Sequence, residues 1–358
     1  MSEPIRFALI GAGWRAEFFL RIAQALPQRF SIVGVSSRRP ERRDELQRLF
    51  GVPVFADAQE MLQKTKPLFA VVSVPRAASP AMIRLATEAG CPVLAETPPA
   101  GTLEEMIALC DLARNGAKIQ VAEQYPFQPQ HAARLAFLAS GKMGQLSYVQ
   151  ISITHGYHAM ALVRKILNVG FACPTVSGRR FTAPVIAGPG RTGCPTTESI
   201  TASAQDFVYF DFGNKLALYD FAGAQYFSYI RRQRLLVRGE RGEMVDDNAT
   251  YLPNPRQPIS VDFHRHEAGP NGNLEGFYLK GIQAGEQWIY ENPLAPARLS
   301  DDEIAVGTCL LKMAQYVQTG QPFYSLAEAC QDAYLEQVAN EALSTGKAVQ
   351  AQPQPWAS

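Results

Sequence analysis

Over about the first 120 residues, short apolar runs alternate with stretches of helical spacing, the arrangement a parallel sheet requires. "IRFALIG" reads as a strand ending in glycine, and "WRAEFFLRIAQAL" as the helix after it. "SIVGVSS" is a second strand and "PERRDELQRLFG" a second helix, closed by Gly51. "FAVVSVP" leads into the helix "SPAMIRLATEAG", which stops at Gly90. "CPVLAE" is a fourth strand. The helix "TLEEMIALCDLARNGA" follows, with Glu105 three residues after Thr102 at capping-box spacing. "KIQVAEQY" closes the series as a fifth strand.

After Tyr125 the pattern changes. One helix, "PQHAARLAFLASGKMG", precedes the strand-like runs "LSYVQISIT", "DFVYFDFG", "KLALYDFAG" and "QYFSYIRRQRLLVRG". Their period-2 alternation and intervening turns such as "FGNK" predict hairpins and an antiparallel sheet. Thr182 to Thr197, rich in Gly, Pro and Thr, reads as a loop. Helical spacing returns in "DDEIAVGTCLLKMAQYVQTG" and "SLAEACQDAYLEQVANEALSTG", and the tail "QAQPQPWAS" reads as frayed. No internal repeat is visible.

Composition narrows the classes. At 358 residues and 47% hydrophobic, the chain can build the cores of two domains. A formal net charge of +1, with signs mixed even in "RRPERRDELQR", gives nucleic acids and anionic membranes little to hold. No apolar run approaches the ~18 residues of a membrane span. The start "MSEPIRFALIGAG" lacks a signal-peptide pattern. The six cysteines are scattered without a C-x-x-C pair and read as small core residues of a reducing, cytoplasmic setting.

The chemistry begins at "GAGWRA", Gly11 to Ala16, between the first strand and the first helix. In that context G-x-G-x-x-A is a dinucleotide-phosphate turn. Gly11 permits the sharp bend, Gly13 lets backbone approach a pyrophosphate, and Ala16 allows close helix–strand packing. The helix N-terminus supplies N–H groups and partial positive charge. The second strand ends in Ser36, Ser37, Arg38 and Arg39 rather than a carboxylate. Serine and arginine accommodate a 2′-phosphate that an acid would repel, so NADP is expected over NAD.

These segments resemble the Gfo/Idh/MocA oxidoreductase family. The resemblance rests on "ALIGAGWRA", "AVVSVP", "VLAETP" at the family's E-K-P position, "ASGKMGQLSYVQ" and "VRGERGEMVDD". It implies an α/β plus α+β fold, with a dinucleotide-binding Rossmann domain over residues 1–123. Residues 124–358 would form a C-terminal α/β domain on an open, mostly antiparallel sheet, for substrate and oligomerisation, with a late helix able to return to the first domain. It further implies a homodimer or homotetramer formed through that sheet, and a small carbohydrate-like substrate: a sugar, polyol or similar secondary alcohol or ketone. The implied cofactor-binding residues are Gly11, Ala12, Gly13, Trp14, Arg15, Ser37, Arg38, Val74, Pro75, Glu96 and Gln124.

The chain departs from the family at chemically important positions. Thr97 replaces the E-K-P lysine, and a neutral hydroxyl replaces an ammonium. Ser79 stands where many members have histidine. The D-x-G-x-H motif is matched by "THGYHAMA": Gly156 and His158 are kept, while Thr154 and Ala161 replace the two aspartates. The catalytic residues are then His158 as acid–base group, with Thr97 and Tyr157 as hydroxyl donors to the reacting oxygen; His155 and Tyr125 are further candidates for that hydrogen bond. Two alternatives remain open: a cofactor-binding regulator or scaffold without turnover, and a biliverdin-reductase-like enzyme. Metal binding is not expected. His155/His158 and His264/His266 pair imidazoles, but no carboxylate or cysteine completes a ligand set at diagnostic spacing.

Overall fold

The computed structural model describes residues 3–273 and 275–357. The amino-terminal alternation runs β1 (Ile5–Ile10), α1 (Ala16–Ala25), β2 (Phe30–Ser36), α2 (Pro40–Phe50), β3 (Val54–Phe55), α3 (Ala58–Thr65), β4 (Phe69–Val72), α4 (Ser79–Glu88), β5 (Val93–Ala95), α5 (Leu103–Arg114) and β6 (Ile119–Val121). Its six strands are parallel, in the order β3-β2-β1-β4-β5-β6. The order reverses at β1/β4, so the carboxyl ends of those strands open onto a crevice, as in dinucleotide-binding sheets. Both faces are covered: Phe7, Ala8, Leu9, Ala70, Val71 and Leu94 are fully buried, and the Phe7 and Phe69 rings stack 5.7 Å apart. The Thr102–Glu105 capping box on α5 is formed. β3 and α3 lie in a stretch that the apolar pattern passes over.

The remaining elements are α6 (Pro129–Ala139), β7 (Leu146–Ser152), α7 (Gly156–Leu167), β8 (Thr175–Ile186), β9 (Ile200–Asp211), β10 (Leu216–Ala222), β11 (Arg234–Gly239), β12 (Gly242–Val245), β13 (Asn248–Tyr251), β14 (Ile259–Ala268), β15 (Tyr278–Ala284), β16 (Gln287–Glu291), α8 (Asp301–Thr319), α9 (Leu326–Thr345) and β17 (Val349–Gln350). The second sheet has the order β16-β15-β14-β13-β12-β11-β7-β10-β9-β8-β17 and is mostly antiparallel, with β7 and β10 parallel. One face is core: Val149, Ile151, Ala217, Val237, Met244 and Ala249 are fully buried. On the other, Tyr209 and Val245 are nearly half exposed.

The chain forms two compact units. The first comprises Met1–Ala132, Arg265–Ile282 and Tyr290–Cys330; the second comprises Ala133–His264, Gln283–Ile289 and Gln331–Ser358. Within the first, α8 lies on α1, and Val306, Cys309, Leu310 and Met313 join Phe19 and Ile22 in one core. Within the second, α7 is buried along nearly its whole length, and its Arg164 forms a buried 2.6 Å ion pair with Asp332 of α9.

Four expectations need correction. The Thr182–Thr197 loop is strand as far as Ile186, because β8 pairs with β9 residue by residue up to Ile186↔Ile200. Pro184 is tolerated since this stretch pairs on one side only. "QYFSYIRRQRLLVRG" is strand only from Arg234; Gly223–Tyr226 forms a 3-10 turn. The tail is anchored: β17 pairs with β8, and the buried Trp356 donates its Nε1–H to Gln331 Oε1 at 3.0 Å. Cys194 is exposed and Cys173 half-buried, so the core reading holds for Cys91, Cys110, Cys309 and Cys330.

Candidate functional site

In the first unit the glycine turn leaves β1 where three strands crowd together. Gly11 has φ +108 and donates to Ser36 O at 3.1 Å. A Cβ on it would stand 2.1 Å from Ser73 O, so no other residue fits. A Cβ on Gly13 would meet nothing within 4 Å. That is the space a pyrophosphate needs beside a helix N-terminus. Ala16 is fully buried against the sheet. The residues present therefore fit a dinucleotide. Arg42 of α2 pins the turn: its Nε donates to Ala12 O at 2.9 Å while the guanidinium pairs with Glu17 and Glu45.

Trp14 is 55% exposed. Arg15 stacks over Trp14 and Phe18, donates to Asp302 Oδ2 at 2.8 Å, and lies 3.9 Å from Glu96 Oε2. Its guanidinium, expected at the cofactor, is engaged by these acids. At the end of β2, Ser37 O accepts from Arg43 Nη1 at 2.8 Å, and Arg38 is exposed. Val74 and Pro75 follow β4, and Ser79 is buried at the start of α4.

Glu96 and Thr97 follow β5. Glu96 N–H donates to Val72 O at 3.0 Å, and the Thr97–Pro98 bond is cis. The Glu96 side chain is 13% exposed. Its Oε2 accepts from Thr97 N at 3.4 Å, and its buried Oε1 has no hydrogen-bond partner among the described residues. Burial pushes this carboxyl up to about 7 against the pull of Arg15, with Asp302 and Glu123 adding to the rise. Glu123 and Gln124, just past β6, are buried. In the amide orientation that satisfies both ends, Gln124 donates to Ala122 O and accepts from Arg15 Nη2, each at 3.1 Å. Cys309 of α8 is buried there too; burial first, then Glu96 and Glu123, raises its thiol pKa.

Sequence reasoning missed Asp302, Glu123, Cys309 and Arg42. Only Glu123, one residue before Gln124, carries a local signal.

The second unit supplies the histidine motif. β7 ends just before the fully buried Thr154, and His155 is the N-cap of α7. Gly156 has φ +25 and donates to the Tyr219 hydroxyl at 3.3 Å. Tyr157 and His158 are buried, with ring centroids 4.3 Å apart; the exposed His155 ring lies 5.0 Å from each. His158 is thus a buried imidazole rather than a solvated helix-start residue. The Tyr226 hydroxyl accepts from His155 N at 2.9 Å, lies 2.7 Å from Thr154 Oγ1 and also reaches His155 Nδ1. Nothing in the pattern marked Tyr226. Ala161, at the second lost aspartate, is fully buried. His264 is exposed and His266 half-buried on β14; among the described residues no cluster of three or more His, Cys, Asp or Glu could hold a metal.

Comparison with known proteins bears on both units. Residues 5–124 match the family model GFO_IDH_MocA, described as an oxidoreductase family with an NAD-binding Rossmann fold. That segment, about a third of the chain, is similar to the Gfo/Idh/MocA family. The chain is 34% identical over 119 residues to D-glucoside 3-dehydrogenase of Escherichia coli K12, a match covering 33% of this chain and only 34% of that relative. Solved structures extend the likeness in fold across the chain. Levoglucosan dehydrogenase, in complex with NADH and levoglucosan, is 16% identical with a TM-score of 0.70, covering 98% of this chain and 100% of that one. An Agrobacterium radiobacter oxidoreductase, in complex with NAD+, L-tartaric acid and magnesium, is 17% identical with a TM-score of 0.69, covering 97% and 98%. A myo-inositol dehydrogenase from Corynebacterium glutamicum is 18% identical with a TM-score of 0.66, covering 98% and 99%. Among the described residues, no helix is long and apolar enough to cross a membrane.

Proposed function

We propose that the chain is an NAD(P)-dependent oxidoreductase acting on a sugar, polyol or similar small secondary alcohol or ketone, with His158 as its acid–base group. The observation that carries the reading is the glycine turn, in which Gly11 alone fits the bend and Gly13 leaves open space, inside the segment that matches an NAD-binding family. Gly11, Ala12, Gly13 and the first turn of α1 would hold the diphosphate. Trp14, Arg15, Val74, Pro75, Glu96 and Gln124 would border the dinucleotide, and Ser37 and Arg38 its adenosine ribose. The exposed Arg38, with no carboxylate at residues 36–39, supports NADP over NAD.

The bound nicotinamide supplies hydride acceptance and donation. The chain's own residues manage the proton. A neutral His158 imidazole takes the hydroxyl proton as alcohol becomes ketone and returns it in the reverse direction. Its burial limits exchange of that proton with bulk water. Thr97 and Tyr157 offer neutral hydrogen bonds to the reacting oxygen. Replacing the family's ammonium with a hydroxyl costs roughly 10²–10³ in rate. The partly apolar open face of the second sheet favours a homodimer or homotetramer, and the free thiols suit the cytoplasm.

The test is cofactor absorbance with NADP and NADPH across a panel of sugars, polyols and ketones. Turnover that His158→Ala abolishes while dinucleotide binding persists supports the reading; turnover that survives the substitution refutes it. Thr97 favours one second reading, a cofactor-binding regulator without turnover. Dinucleotide binding with no turnover across the panel would establish that instead.

A further inference from the structure

One hydroxyl contact shows what stands in place of the missing acid of the histidine motif. Thr154 stands where the family has aspartate, and its Oγ1 is 2.7 Å from the Tyr226 hydroxyl, so this position brings only neutral groups. A charge arrives from elsewhere. Glu336 of α9 lies against the first turn of α7: a Cβ on Gly156 would stand 1.6 Å from Glu336 Oε1 and 2.3 Å from its Cδ. The carboxylate occupies the volume that any side chain at 156 would need, two residues before His158. The glycine of "HGYH" thus has a spatial reason beyond its φ of +25.

We infer that Glu336 is the positioning residue for His158, supplying from the last helix the negative charge that the motif itself has lost. The inference rests on the acid–base role given to His158 above. The place suits a carboxylate, since the first turn of a helix carries partial positive charge. The α9 register is set by the buried Arg164–Asp332 pair, one α9 turn from Glu336. Among the described residues, the other titratable groups around this turn include His155 and Tyr157 at the start of α7, Tyr219 on β10, Tyr226 after it, and Asp206 of β9, whose charge acts on Tyr219. Burial pushes the Tyr219 phenol up, and Asp206, Tyr226 and Glu336 add to the effect. None of these neighbours is a second carboxylate on α7 itself. A carboxylate beside an imidazole favours the imidazolium, so Glu336 raises the pH at which His158 becomes a competent base.

The test is an NMR titration of the histidine rings in full-length protein, with His158 assigned among the five histidines by loss of its signal in His158→Gln. In Glu336→Gln, of nearly the same shape, the His158 midpoint should fall by about one pH unit or more. Glu336→Asp should restore part of the shift. The rise of turnover with pH should move in the same direction by the same amount, which a merely structural role would not produce. Gly156→Ala, which displaces the carboxylate without removing it, should lower the midpoint as Glu336→Gln does. An unchanged His158 midpoint in a folded Glu336→Gln protein overturns the inference. The titration needs no substrate: a shifted midpoint in a protein that turns nothing over would sustain the Glu336–His158 coupling while sinking the enzymatic reading.

Discussion

Glu96→Gln makes a quantitative test of the carboxylate cluster around Arg15. Burial raises the Glu96 carboxyl from the ordinary 4.5 to about 7. A raised folded-state value means that the fold holds the proton more tightly than the unfolded chain does. The associated stability is complete below about pH 4.5 and is lost as pH rises through about 7. At about 1.4 kcal/mol per unit of pKa, the full effect is roughly 3 kcal/mol. Glutamine fixes the neutral form. The variant should match wild type near the acid end and become more stable above neutrality, the gap growing by about 2 to 3 kcal/mol between pH 5 and 8. Urea melts of both proteins across that range measure it. A gap that stays constant, or shrinks as pH rises, refutes the reasoning: Arg15, 3.9 Å away, would then be holding the carboxylate ionised throughout.

Four further substitutions separate packing from chemistry. Gly11→Ala should destabilise the first unit, since its Cβ would stand 2.1 Å from Ser73 O, whereas Gly13→Ala should melt like wild type yet bind dinucleotide about tenfold or more weakly by fluorescence titration. Arg164→Ala removes the guanidinium from the buried 2.6 Å ion pair with Asp332 and should cost about 3 to 5 kcal/mol in chemical denaturation. Thr97→Lys should raise kcat on any substrate the wild type turns over, by roughly 10- to 100-fold in a spectrophotometric assay; unchanged or lower kcat would argue that the threonine is no handicap.

What could be read from the chain alone was what is local. The spacing of Gly11, Gly13 and Ala16 encodes a turn within a few residues, and Thr102 and Glu105 encode their capping box in the same way. Alternation marked β7, β9 and β10 because one face of each is buried. The distal half of β8 was illegible: both faces of a two-stranded ribbon meet water, so no period survives, and Pro184 looks like a breaker. The charges that set the candidate site were equally hidden. Asp302 reaches Arg15 across 287 positions, and Glu336 meets Gly156 across 180. Such partners have no spacing rule, because only the packing of helices brings them together. His158 could be named from its motif, but its burial depends on β7, β10 and α9 closing around α7.

The anchored carboxyl end bears on how this molecule can be handled. Trp356 is seated on Gln331, and Val349 and Gln350 close the edge of the second sheet beside Val176 and Thr175. An affinity tag fused directly after this segment would compete with that clasp. Trimming the last ten residues as a supposedly idle appendage would bare an apolar sheet margin to neighbouring molecules, with self-association as the expected result.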